Sequence, residues 1–407
     1  MSDRTTTHGA TPLTPIGWAD GAITVFIIAL LFYGSSAWVA GRTGTPNLSY
    51  FDELADAFLK GRLDIPARDN PVDLTPAGGL WYVPFPPLPA LVMLPWRVLG
   101  FRVNTVAFSV VFAAANVALL WSLLGVCRRR GLIDLGPGGR AWLAVLFAAG
   151  TVHWYVSVDG TVWYIAHIFT VCGAAAAACS AAAGKHPAMC GAFLALGMLA
   201  RPHIALTWPL LYGLSRGARN TGAAWIAASL SPMAAAALVL LAYNAARFGD
   251  PLDFGYARQH VGPEVIGDLN QYGQFHPHFV ARNLWAMLLA LPAWDPKLHM
   301  YVPDPLGMSL LLTTPPVVYL AATLRSRGPL VLGAWVALLL LLVPLMLYYN
   351  TGWKQFGYRF SLDFVVPTML LIASALRGWV NAAQKILIVV AVLVNAWGGA
   401  WFYFWKT

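Results

Sequence analysis

Continuous apolar runs are the feature that most constrains this chain. Ala334–Tyr348 reads AWVALLLLLVPLMLY, and stretches of comparable character recur along the sequence. A run near 20 apolar residues is what an α-helix needs to cross a bilayer core. A transmembrane β-barrel would alternate apolar and polar residues in segments of about ten instead. Only 11% of the 407 residues are charged and 58% are hydrophobic, against roughly a quarter charged in a soluble domain. The reading is an all-α, polytopic integral membrane protein with about eleven spans.

Those spans are expected at 21–41, 104–127, 141–157, 161–183, 187–200, 203–215, 221–246, 306–324, 329–349, 362–376 and 386–404. Residues 1–20 read as a cytoplasmic tail without a cleavable signal, and 21–407 as one transmembrane domain. Two polar stretches, 42–103 and 247–305, become long loops. Within the first, Phe51, Leu54, Ala55, Phe58 and Leu59 share one helical face, the pattern of a short interfacial helix. The run 85–100 (FPPLPALVMLPWRVLG) is too short and Pro-rich to span, and reads as a juxtamembrane helix.

The net charge of +9 follows the topology. With the N-terminus in the cytoplasm, about 12 of the 26 basic and about 3 of the 17 acidic residues fall on cytoplasmic segments, leaving about 14 of each outside. The basic excess therefore marks the inside of the cytoplasmic membrane, and no nucleic-acid partner is expected. Cys127, Cys172, Cys179 and Cys190 lie in or beside apolar runs without metal-ligand spacing, so a zinc site or disulfide framework is not expected.

Chemistry is expected in the outer segments. The first loop holds Asp52, Glu53, Asp56, Asp64, Asp69 and Asp73. The first three sit on the short helix, where a carboxylate near the membrane surface can act as a general base for a hydroxyl. The plain alternative is a solvated face. Arg201, in LARPHIAL, divides two half-length apolar segments. A cation at that depth is costly and by default functional, and arginine suits phosphate. In 350–367 (NTGWKQFGYRFSLDFVVP), Lys354 and Arg359 stand among Trp353, Phe356, Tyr358 and Phe360. Arg359 either pairs with Asp363 four residues on or holds a phosphate. The second loop interleaves Tyr256, Arg258, His276 and His278, a composition that suits a sugar, whose faces stack on rings. His276 and His278 also form a possible ligand pair, with no fixed carboxylate partner. His153 and His167 read as structural.

Taken together, DELADAFLKGRL (52–63), WYVPFPPLPALVMLPW (81–96), LGMLARPHIAL (196–206), RFGDPLDFGY (247–256) and GYRFSLDFVVP (357–367) resemble the membrane glycosyltransferases of the C superfamily. The resemblance extends over most of the chain, in order, and is nearest to the protein O-mannosyltransferase and aminoarabinose transferase branch. It implies a catalytic Asp-Glu pair at Asp52–Glu53. Aligning the tail Ala55–Gly61 puts that pair near Asn47 instead, which leaves Asp52, Glu53 and Asp56 all open. It further implies a second acidic position at Asp159 and a carrier-phosphate contact at Arg359. The implied reaction is inverting transfer of a sugar from a polyprenyl-phosphate donor to a hydroxyl on a lipid, glycan or protein, at the outer face. No cofactor is required, and a divalent cation is compatible. The rivals are a lipid-linked sugar flippase and a glycan ligase or polymerase.

The topology has a direct test. Single cysteines in 42–84 and 247–305 should react with a membrane-impermeant thiol reagent applied from outside, and cysteines in 128–140 or 377–385 should not. Reaction of both sets from one side would refute the orientation.

Overall fold

The computed structural model describes residues 21–69, 71–216, 221–352 and 354–405. The expected tail 1–20 and Trp353 lie outside the described residues. In chain order the helices are α1 (Ala22–Val39), α2 (Phe51–Leu59), α3 (Leu88–Val98), α4 (Thr105–Arg129), α5 (Pro137–Ala149), α6 (His153–Ser157), α7 (Val162–Ala182) and α8 (Pro187–Met198). They continue with α9 (Trp208–Arg216), α10 (Ala223–Phe248), α11 (Pro263–Tyr272), α12 (Val280–Leu288), α13 (Leu310–Thr313), α14 (Pro329–Leu347), α15 (Val365–Ala375) and α16 (Ala382–Ala400).

Among the described residues, six helices are long and apolar enough to cross a membrane: α1, α4, α7, α10, α14 and α16 with its continuation to Trp405. The chain is thus a multi-pass, mostly helical membrane protein. The other apolar segments are broken. The one at 141–157 divides into α5 and α6, and the pair around Arg201 becomes α8 and α9 joined by the 3-10 turn Pro202–Thr207. At 306–324, α13 gives way to a 3-10 stretch that starts at Pro315 and Pro316. Proline lacks the amide that continues an α-helix. Apolar composition measures affinity for hydrocarbon and does not register such breaks.

Burial shows how the long helices sit. α1 buries only Ala29, Tyr33 and Ala37, a stripe four residues apart that faces α4. Val25, Phe26, Leu30 and Phe32 flank that stripe, and Ile23, Ile27, Ile28, Leu31, Trp38 and Val39 face outward, as a lipid-facing surface should. α7 is the opposite case, with 89% of its span buried, and it packs on both α4 and α8. Small residues permit this approach. A Cβ on Gly173 would lie 2.7 Å from the amide nitrogen of Gly197, and one on Gly191 would meet the Ser229 carbonyl oxygen at 1.9 Å.

The two ends of the bundle differ. At one end the basic segments gather. Arg130 donates to the Ala183 carbonyl (3.0 Å), and Gly136 to that of Gly378 (2.9 Å). At the other end the two long loops assemble on one another. They contain two short antiparallel hairpins that the sequence reading did not anticipate, β1 (Thr75–Ala77) with β2 (Leu80–Tyr82) and β3 (Ala293–Asp295) with β4 (Met300–Val302). Gly78 and Gly79, both with positive φ, make the two-residue turn of the first hairpin. The first loop meets the second where Thr75 donates to the Gly255 carbonyl (3.0 Å) and Arg247 to that of Val83 (2.6 Å). α3 joins this end through the Leu88 amide, which donates to Leu199 (2.9 Å). Trp96, Val98, Leu99 and Phe101 remain exposed on and after α3, as an interfacial helix requires.

The glycine contacts can be tested separately from function. Gly191→Leu should cost about 1–3 kcal/mol of stability through overpacking and lower the melting temperature. Gly34→Leu, where nothing lies within 4 Å of the added Cβ, should melt near wild type. Equal melting of the two would contradict the α8–α10 packing.

Candidate active site

A cavity of about 260 Å³ opens at the loop end, between the two long loops and the broken helices. Asp73, Arg201, His203, Tyr256 and Arg359 supply its polar lining. Phe85, Trp163, Phe254, Tyr348 and Phe360 supply aromatic walls.

Arg201 arrives there because α8 ends. Its guanidinium donates to the Asp363 carboxylate at 2.9 Å, and the fully buried Asp363 also accepts from His203 Nε2 (2.9 Å) and His167 Nδ1 (3.1 Å). A carboxylate only accepts, so these contacts fix both imidazole tautomers. Three segments distant in sequence are thereby locked together: α7, the break after α8, and the 3-10 turn Arg359–Phe364. The local pairing of Arg359 with Asp363 weighed from spacing does not form. Arg359 makes no ion pair among the described residues, and its Nε has no hydrogen-bond partner. It lies 5.4 Å from the ring centroids of Tyr164 and Phe360. Its backbone is held by Gln355, which accepts from the Arg359 amide at 2.9 Å.

Asp73 faces this pair of cations. Its backbone is left-handed, φ +59°, a conformation that costs a non-glycine residue energy although aspartate tolerates it better than most. The strain is held by the surrounding chain. The Asp73 amide donates to the His260 carbonyl (2.7 Å), Gln259 donates to the Asp73 carbonyl (3.2 Å), and Tyr50 donates to Val72 (2.7 Å). Burial pushes its carboxyl up to about 6, and the nearby Arg359, a hydrogen bond from Trp163 and His260 oppose the rise. Burial also pushes the Tyr256 hydroxyl up to about 12, so it stays neutral and able to donate.

The other sequence candidates lie outside the cavity lining. Glu53 is paired with Arg68, and Asp56 with Arg97 at 2.5 and 2.7 Å. Burial raises the Glu53 carboxyl, against the pull of Arg68. Asp52 accepts from Ser49 (2.5 Å) and lines a separate open cleft of about 390 Å³ with Arg97 and Arg102. Asp159 is buried at the outer turn, where it accepts from the Thr161 amide (3.1 Å) and lies 3.8 Å from Arg42. Arg258 pairs with Asp253 at 2.5 Å. His278 stacks on Tyr272 with ring centroids 4.1 Å apart, and its amide donates to His276 Nδ1. Tyr358 is buried beside Phe360, and the Lys354 carbonyl lies 3.5 Å from the Tyr164 hydroxyl. Among the described residues no group of three or more His, Cys, Asp or Glu is placed to hold a metal ion.

Sequence reasoning counted Asp73 among the loop acids without singling it out, and it missed His203 and the true partners of Asp363. The Gly-Gly turn five residues after Asp73 was the available signal: it predicts a hairpin with Asp73 at its root.

The buried network has a measurable consequence. Asp363→Asn removes the shared anion and strands two imidazoles and Arg201, which should cost about 3–5 kcal/mol. A thermal shift no larger than that of an exposed carboxylate, such as Glu264→Gln, would contradict the network.

No protein-family model matches the chain, and no curated protein sequence does. A solved structure similar to it is the archaeal oligosaccharyltransferase AglB from Archaeoglobus fulgidus, in complex with an inhibitory peptide and a dolichol-phosphate. The match has a TM-score of 0.46 and 12% identity, and covers 93% of this chain and 56% of that one.

Proposed function

We propose that the chain is an inverting glycosyltransferase of the cytoplasmic membrane, taking a sugar from a polyprenyl-phosphate donor to a hydroxyl acceptor at the outer face. The observation that carries this reading is the half-buried Asp73 carboxylate sharing one cavity with Arg201 and Arg359 amid aromatic rings. The sequence resemblance supplies the donor class. The opposition of one base to two phosphate-binding cations supplies the chemistry.

In this scheme the ionised Asp73 takes the proton of the acceptor hydroxyl. The acceptor oxygen attacks the anomeric carbon from the face opposite the phosphate. The bond from that carbon to the phosphate oxygen breaks, and polyprenyl phosphate leaves with its charge held by Arg201 and Arg359. A phosphate leaving group needs little protonation, so one carboxylate suffices where glycosidases use two. The aromatic walls and Tyr256 hold the sugar through stacking and hydrogen bonding. No cofactor enters, and a divalent cation remains compatible with the scheme. Asp52, with Glu53 and Asp56, is the competing location for the base. Lys354 and Asp159 are reserve contacts for the donor, and Arg258, His276, His278 and Tyr358 remain candidates for the acceptor side.

The test is transfer of radiolabelled sugar from a panel of polyprenyl-phosphate sugars, in membranes carrying wild type, Asp73→Asn or Asp52→Asn. Asp73→Asn should lower turnover by about 10²–10⁴-fold, and Asp52→Asn should retain it. The reverse pattern moves the base to the short helix. No transfer from any donor favours the flippase or ligase.

The pH profile gives a second check. Protonated Asp73 cannot accept a proton, so the rate should climb through about pH 6 and then level. Arg359→Gln removes the charge that holds this carboxyl down, so the acid limb should move to higher pH. Because the folded-state value lies above the unfolded one, Asp73 favours folding most at low pH, and that contribution is lost as pH rises through about 6. Asp73→Asn should therefore be at least as stable as wild type at pH 7.5. A marked loss of stability there would mean that lost transfer reports misfolding.

A further inference from the structure

α12 has two working faces. Asn283, Ala286 and Met287 turn inward and are buried. Ala281, Leu284, Trp285 and Leu288 share the opposite face, at spacings of three and four, and all are exposed. A helix lying against water carries polar residues on such a stripe, and one that is apolar there is covered by protein or by lipid. The single charged side chain of α12, Arg282, is drawn aside to pair with Asp268 of α11.

The apolar surface continues past the helix. Leu289 and Leu291 follow it, 64% and 62% exposed. In the β3–β4 hairpin Trp294 stands opposite Tyr301, with ring centroids 5.4 Å apart and both side chains exposed. Cross-strand partners share a face, so the hairpin presents an aromatic pair on one side. Its turn is polar, and Asp295 accepts there from the amides of Lys297 (2.7 Å) and Leu298 (3.1 Å). An apolar stripe, an aromatic pair and a polar turn are what a segment at a membrane interface carries.

The inward face of α12 closes the loop end of α14. The last carbonyls of a helix have no partner within it. Asn283 Nδ2 donates to the carbonyls of Met346 (3.0 Å) and Tyr348 (2.8 Å), and Arg282 donates to that of Tyr349. The His276 amide donates to the carbonyl between them, Leu347, at 2.9 Å. Four successive carbonyls are thus held from the second loop, and Tyr348 and Tyr349 line the loop-end cavity. On the same span Val343 and Leu339 are exposed, one and two turns before Met346. The lipid-facing side of α14 therefore runs up to the place where α12 is attached.

We infer that α12 and the β3–β4 hairpin dock in the bilayer leaflet at the loop end, and that this contact, passed on through Asn283 and Arg282, positions the Tyr348–Tyr349 wall of the cavity. The occupant of the surface is lipid, because the stripe joins the lipid-facing side of α14 and carries no charged side chain for a protein to pair with.

The experiment places nitroxide labels on single cysteines in the full chain, with Cys127, Cys172, Cys179 and Cys190 replaced by alanine, in phosphatidylcholine nanodiscs. Labels at Leu284, Leu288 and Trp294 should be relaxed by oxygen, which partitions into hydrocarbon, as strongly as one at Val343. Labels at Glu264 and Lys297 should respond instead to a water-soluble nickel chelate. Nickel access at Leu284 and Leu288 equal to that at Glu264 would overturn the inference. Shielding of those two from both reagents would also overturn it, because a protein such as a second copy would then cover the stripe. The coupling is read by hydrogen exchange. The double variant Leu284→Asp, Leu288→Asp should speed exchange of the His276 and Tyr349 amides, which bond to Leu347 and Gln274, by on the order of tenfold. The Ile65 amide, bonded to Trp81 in the first loop, should exchange as in wild type. Unchanged exchange at His276 and Tyr349, or equal acceleration at Ile65, would overturn the coupling. None of these readouts requires a sugar donor, so they stand apart from the transferase reading.

Discussion

The Asp363 carboxylate is the constraint on which the site depends. It is fully buried, and an isolated charge in that position would carry a desolvation cost that few contacts offset. Arg201, His203 and His167 meet it together. Their geometry forces three chain segments into register, because each must deliver its donor to one small anion. The break after α8 follows from this requirement. A continuous helix through Pro202 is barred by the ring, and the interruption turns Arg201 toward both Asp363 and the cavity. Arg201 is thus tethered on one side and open to the cavity on the other.

The outer loops solve a different problem. Loop backbone with no regular partner leaves polar groups to satisfy, and here the two long loops satisfy each other. The His260 amide donates to the Leu74 carbonyl and the His260 carbonyl accepts from the Asp73 amide across the interface, and Thr75 and Arg247 add side-chain donors. The left-handed Asp73 sits within this mutual scaffold, and the strain of its backbone is held by neighbours on both sides. The carboxylate and the two cations of the cavity are thereby carried by separate units. The first loop presents the carboxylate, while the helical breaks present Arg201 and Arg359.

Much of the fold was legible because hydrocarbon affinity is a local property. The six long helices coincide with six of the apolar runs, and the short helix at Phe51–Leu59 was visible in the spacing of Phe51, Leu54 and Phe58. Helical continuity was not legible to the same degree. Whether 306–324 spans as one helix depends on where Pro315 and Pro316 interrupt the hydrogen bonds, and composition does not record that. The lining of the candidate site was legible in its cations and not in its carboxylates. Arg201 stood out because a charge between apolar segments is rare. Asp73 was one acid among six in the same loop, and nothing local marks it as the one that lines the cavity. Asp363 invited an i, i+4 pairing with Arg359, yet its actual partners lie more than 150 positions away, beyond any spacing rule.

The central claim is that Asp73, Arg201 and Arg359 frame one site for a phosphate-linked sugar. A structure of the chain bound to a non-hydrolysable polyprenyl-phosphonate sugar tests it most directly. The account predicts phosphonate oxygens within hydrogen-bond distance of Arg201 or Arg359, with the sugar between the aromatic walls and Asp73. A phosphonate seated instead in the open cleft beside Asp52, Arg97 and Arg102 would contradict it.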